Sequence, residues 1–182
     1  MSNSRIQKSF TFQTAIHFNG KFMVNLYEMD TMMEIYTEDA REQNIAVERI
    51  THFLSNSIED CLFISIAEKD AINKYSAAGI KVCVIPEEPY DQIIGLVLLN
   101  KCNAIMEEKI VMSEILIGSK LSNLIKFELT HEMGKVEYPG KHWYNDPTLR
   151  MADKFTKKDK IVNLFDYKCE DWEELDLTWK AL

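Results

Sequence analysis

With 182 residues, 46% of them hydrophobic and 27% charged, the chain is too apolar to stay disordered. A domain of that length buries roughly 70% of its unfolded surface and needs neither disulfide nor metal to fold. A formal charge of −8, from 21 Lys and Arg against 29 Asp and Glu, repels a phosphate backbone and disfavours nucleic acid as a partner.

In chain order, Lys8 to Phe18 alternates with Phe10, Phe12, Ile16 and Phe18 on one face, and Asn19-Gly20 then turns the chain into FMVNLYEM. This pattern predicts an N-terminal β-hairpin, with a third short strand over Met32 to Thr37. From Glu38 to about Ser55 the residues Ala46, Val47, Ile50, Phe53 and Leu54 recur at helical spacing, with Thr37 as the expected N-cap. CLFISI, from Cys61, reads as a buried strand. A short helix follows with Ala71, Ile72, Tyr75 and Ala78 inward, ended by Gly79. KVCVIP, Lys81 to Pro86, is the next buried strand, and Pro89 suits the first turn of a helix that is apolar nearly all round from Ile93 to Leu99. Such a helix is either sandwiched in the core or covered by a partner subunit. Strands are expected again over Lys109 to Ile117 and Ile125 to Thr130, joined by GSKLSN.

The expected fold is therefore α+β (or α/β), a mixed sheet packed with three helices. Residues 1–131 form the core domain. Beyond His131, Gly134, Pro139, Gly140 and Pro147 break the pattern, and 132–182 reads as an irregular extension that packs on the core or on a partner. The run Ile93 to Leu99 is far shorter than the ~20 residues of a membrane-spanning helix, and MSNSRIQKSF has no apolar export region. Four cysteines without CxxC spacing, three of them in apolar runs, point to small buried hydrophobes in a reducing setting. A cytoplasmic protein is expected.

Three places carry residues of chemical interest. In the first, THEMGKVEYPGKHWYNDP, HEMGK puts Lys135 where a zinc protease has its second histidine, so that motif is absent. A looser metal site from His131, Glu132 and His142 is one reading. The other is a surface loop in which Tyr138, Trp143 and Tyr144 pack and His142 makes an ordinary hydrogen bond. In the second, Glu87, Glu88 and Asp91 of PEEPYD, with Glu68 and Asp70 after the neighbouring strand, offer carboxylates to a Mg²⁺ ion, or simply sit at helix N-termini that favour acids. No glycine-rich phosphate loop and no nucleophile elbow is present, and His17 and His52 read as structural. Lys154, Lys157, Lys158 and Lys160 form a basic cluster diluted by Asp153 and Asp159.

The third place is the tail DWEELDLTWKAL, where Trp172, Leu175, Leu177, Trp179 and Leu182 stand in an acidic frame, as in short peptides that dock in a groove. ELDLTW resembles the apolar tails by which replication proteins dock on sliding clamps, without their usual glutamine and paired aromatic. The alternative is that the arm packs back on its own domain or on a sister subunit.

DAREQNIAVERITHFL together with IPEEPYDQIIGLVLLNKCNAI resembles uncharacterised proteins of large tailed bacteriophages. That resemblance implies a small accessory or assembly protein and supplies no catalytic residues. The reading that follows is a non-enzymatic interaction or assembly protein, homo-oligomeric or a subunit of a larger complex, with no cofactor. A metal-dependent hydrolase using His131, Glu132 and His142, or Glu87, Glu88 and Asp91, is the first alternative. An accessory factor tethered to a replication or transcription complex by its tail is the second.

Overall fold

A computed structural model describes residues 4–153 and 171–179. The basic cluster Lys154 to Lys160, Cys169 and Leu182 lie outside the described residues. Strands β1 (Arg5–Phe18) and β2 (Lys21–Ile35) form the predicted hairpin, and Asn19 and Gly20 both take positive φ, 49° and 73°, which gives a tight turn twisted to match its strands. β2 does not stop for a third strand. It runs on past a bulge in the neighbouring strand at Ser113, whose hydroxyl donates to the Met32 carbonyl. Asn25, Tyr27, Met29, Thr31 and Met33 face inward in unbroken alternation, so the predicted third strand is the end of β2.

The other strands are β3 (Leu62–Ser65), β4 (Val82–Ile85), β5 (Ile110–Ser119) and β6 (Phe127–Thr130). They build one six-stranded sheet in the order β4-β3-β1-β2-β5-β6, parallel across β1-β3-β4 and antiparallel elsewhere. The mixed α+β architecture is the predicted one. β3 and β4 are covered on both faces and, apart from Ser65 at the end of β3, are apolar. Phe63, Cys83 and Ile85 join the main core, while Ile64, Val82 and Val84 meet α2 (Lys69–Ala77) through Ile72.

Helix α1 (Ala40–His52) is capped by Asp39, whose carboxylate accepts from the Arg41 and Glu42 amides. Thr37, the expected cap, stands outside it, accepting from Asp39 N and donating to the Glu42 carboxylate. After His52 the coil widens into a π-helical turn, Phe53–Ile58, that brings Phe53, Leu54 and Ile58 into the core.

Helix α3 (Asp91–Met106) is buried over most of its surface. Its Gly95 lies so close to the sheet that an added Cβ would meet Leu129 and stand 2.7 Å from Ile117 Cγ2. The other sides are taken by α1, by α4 (His131–Glu137) and by a 3₁₀ turn, Trp143–Asn145. The apolar helix is thus sandwiched within its own chain. Fully buried Lys101 donates from Nζ to the carbonyls of Trp143 and Asp146, at 2.7 Å each, and so ties that turn to the helix.

Helix α4 was not expected. Thr130 caps it by accepting from Met133 N, and Gly134 sits in its middle, where glycine costs about 1 kcal/mol relative to alanine. The glycine is needed because the Asn100 side chain lies against its Cα and donates to its carbonyl at 2.9 Å. A β-carbon there would collide with Asn100 Oδ1. Gly134→Ala should therefore lower stability by about 1–3 kcal/mol despite the better helix former, measured by urea unfolding against the wild type.

Candidate functional site

An open groove of about 920 Å³ lies between the C-terminal half of α3 and α4, with Glu107, Glu108, His131, Glu132, Lys135 and Tyr138 in its lining. Burial, reinforced by the Lys135 charge, lowers the His131 pKa below its ordinary value, so the neutral imidazole prevails near neutrality. His142 is not part of this lining. Its Nδ1 meets Asp153 at 2.9 Å, its ring stacks on Tyr144, and the Asp153 carboxylate also accepts from Trp143 N. His131, Glu132 and His142 therefore do not converge, and among the described residues no three His, Cys, Asp or Glu side chains come together as metal ligands. The segment is helix α4 followed by a packed loop. Trp143 reaches from it to donate Nε1–H to the Val84 carbonyl, and Val84 N in turn donates to Met151, so the β4 edge is occupied.

The carboxylates of PEEPYD also go separate ways. Asp91 is buried at the start of α3 and accepts from the Ser119 and Ser122 hydroxyls at 3.0 and 2.7 Å. Glu87 accepts from the Tyr138 hydroxyl at 3.0 Å. Glu68 stands as the residue before α2 and Asp70 lies in its first turn.

The tail is docked on its own chain. Arg49, buried on α1, is flanked by the rings of Trp172 and Trp179, with its guanidinium carbon 4.8 and 3.9 Å from their centroids. It donates to the carbonyls of Leu177 and Ile105 and to the Glu107 carboxylate. Burial works against the Arg49 charge, and Glu107 at 2.8 Å offsets part of that cost. Arg41 donates to the carbonyls of Thr178 and Trp179, and Trp172 Nε1 to Pro147. Leu175 and Leu177 pack on the same core. Nothing in the sequence marked Arg49 as the receiver of this tail.

What stays open to solvent is the outer face of the sheet beside β2 and β5. Exposures of 47% at Phe22, 59% at Val24, 52% at Leu121, 43% at Leu124 and 61% at Ile125 are high for side chains this apolar. Phe22 also meets the Tyr75 ring of α2, 5.9 Å between centroids, and the turn carrying Leu121, Leu124 and Ile125 is fastened to β2 and β5. Leu121 N donates to the Asn25 side chain, Lys120 N to the Leu26 carbonyl, and the Ile125 backbone lies over Gly118, where a Cβ would come within 2.6 Å of its oxygen. The signal was in FMVNLYEM: Met23, Asn25 and Tyr27 face the core, so Phe22, Val24 and Leu26 must face away.

Buried Cys61, Cys83 and Cys102 are free thiols, and burial pushes Cys102 up to about 12 and Cys83 well up, the reverse of a nucleophile's environment. Among the described residues no helix is long and apolar enough to cross a membrane. The chain matches no protein-family model and no curated protein.

His131 supplies a pH signature. Because its folded pKa is depressed, its contribution to stability is complete above the unfolded value of about 6.5 and is lost as pH falls toward the folded pKa. Unfolding free energy measured from pH 7.5 to 5 should decline less steeply in His131→Gln than in the wild type, and the His131 resonance should titrate below 6.5.

Proposed function

We propose that the protein is an interaction or assembly subunit without catalytic duty, and that its partner across the outer sheet face is a second copy of the same chain. The observation that carries this reading is the exposed apolar cluster Phe22, Val24, Leu121, Leu124 and Ile125. Contiguous apolar surface of this kind is costly in water and marks association sites. The surround supports a two-fold arrangement. Exposed Lys120 stands beside Leu26, and Glu28 and Asp30, bridged by Lys126, lie further along β2. An isologous contact brings one copy's Lys120 toward the other's acids.

The two surfaces that the sequence offered for this role are used inside the chain: α3 is covered over most of its surface and the tail is held by Arg49. A tail that docks elsewhere would first have to leave Arg49, whose buried charge would lose its partners. Free thiols at Cys61, just before β3, and Cys83, on β4, fit a reducing, cytoplasmic location, and an accessory role within a larger complex belongs to the same reading.

Sedimentation equilibrium of the full chain at 5–200 μM tests this. The wild type should behave as a dimer at the upper concentrations. Val24→Glu with Ile125→Glu should be monomeric throughout, with unchanged circular dichroism, because each buries a carboxylate in the contact. A wild type that stays monomeric over the whole range would overturn the proposal.

A further inference from the structure

Beneath the exposed face, on the core side of the same strands, lies a row of polar side chains that the packing does not satisfy. Thr14 and Asn25 are direct partners across β1 and β2, Tyr27 follows Asn25 on the same face, and Ser119 of β5 is the direct partner of Tyr27. Asp91, at the start of α3, closes the row through its bond with Ser119. Thr14, Asn25 and Tyr27 are 2%, 3% and 0% exposed. Asn25 Oδ1 accepts from the amides of Leu26 and Leu121, but Asn25 Nδ2, Thr14 Oγ1 and Tyr27 Oη make no hydrogen bond within the described chain. Asn25 is near enough to the Tyr27 hydroxyl to favour its ionised form without meeting hydrogen-bond geometry. Burial and the Asp91 charge push the phenol the other way, well above its ordinary range.

Three orphaned polar atoms in one row are more than a close-packed core tolerates, since each costs on the order of 1–3 kcal/mol when left unpaired. Their chemistry selects the occupant. Asn25 Nδ2 can only donate, so the occupant must accept, which rules out a metal cation or an ammonium group. Asp91 alongside rules out an anion. A neutral molecule that both accepts and donates remains, able to accept a hydrogen bond from Asn25 Nδ2 and to bond both the Thr14 and Tyr27 hydroxyls.

We propose that Thr14, Asn25 and Tyr27 form a binding site for an internal water molecule. It meets the usual requirement of about three hydrogen bonds to buried groups that lack other partners. Its role is positional: it links β1 and β2 to the Asn25 side chain that holds Leu121 N, and so stiffens the base of the turn carrying Leu121, Leu124 and Ile125. The site does not depend on the dimer, and its test reads neither association nor activity.

Magnetic relaxation dispersion of water ¹⁷O and ²H on the full chain counts water molecules held for longer than nanoseconds. The wild type should show a dispersion step that shrinks in Thr14→Val and in Tyr27→Phe and is retained in Thr14→Ser, which keeps the hydroxyl. Melting temperatures should fall in the first two variants. An unchanged step in Thr14→Val, or a Tyr27→Phe variant with full dispersion and an equal or higher melting temperature, would overturn the proposal, because deleting a truly orphaned hydroxyl costs nothing. If Tyr27→Phe does not fold, the Thr14→Val and Thr14→Ser pair decides alone.

Discussion

A helix with no polar face has to be covered over most of its surface, and the architecture follows from satisfying α3. The sheet approaches it so closely at Gly95 that only glycine fits, α1 and α4 flank it, and the turn at Trp143 closes the remaining side. The cationic side chain buried on this helix, Lys101, is turned to account by capturing two carbonyls of that turn. Burying an ammonium is expensive unless it is hydrogen-bonded, so the site holds the loop in one conformation rather than merely near the helix.

Arg49 repeats the device at the end of the described chain. Its planar guanidinium fills three roles at once, stacking between two indoles, bonding backbone carbonyls and pairing with Glu107, which lysine's point charge would not combine. Two buried cations on two helices thus anchor the segments after His131 to the core. The acidic surplus of the tail does not oppose this, because its backbone carbonyls and ring faces make the contact and its carboxylates can stay in water.

How much of this could be read from the sequence depends on the range of the interaction involved. The hairpin was legible because alternation and Asn-Gly act over adjacent residues, and β3 and β4 because strands covered on both faces are apolar nearly throughout. The Asp39 cap shifted a helix boundary by the small step that local geometry decides. Helix α4 was hidden because the reason for Gly134 is Asn100, far away in the chain. The partners of Arg49 and Lys101 were hidden likewise: a charge inside an apolar run does not announce which distant carbonyl it meets. Of the tail residues, Trp172, Leu175, Leu177 and Trp179 pack on their own chain, and their receiver, Arg49, carried no signal in the sequence. His131, Glu132 and His142 were close in sequence but are set apart by the helix that begins at His131.

The exposed outer face is what the internal packing leaves over, and the account rests on its being a contact surface. Hydrogen–deuterium exchange of the full chain at 2 μM and at 200 μM addresses that directly, peptide by peptide. The account predicts that protection rises with concentration over 21–28 and 116–126 and stays constant over α4 and the Arg49-docked tail. Protection that does not change with concentration in the β2 and β5–β6 peptides, or that changes at the tail instead, would contradict it.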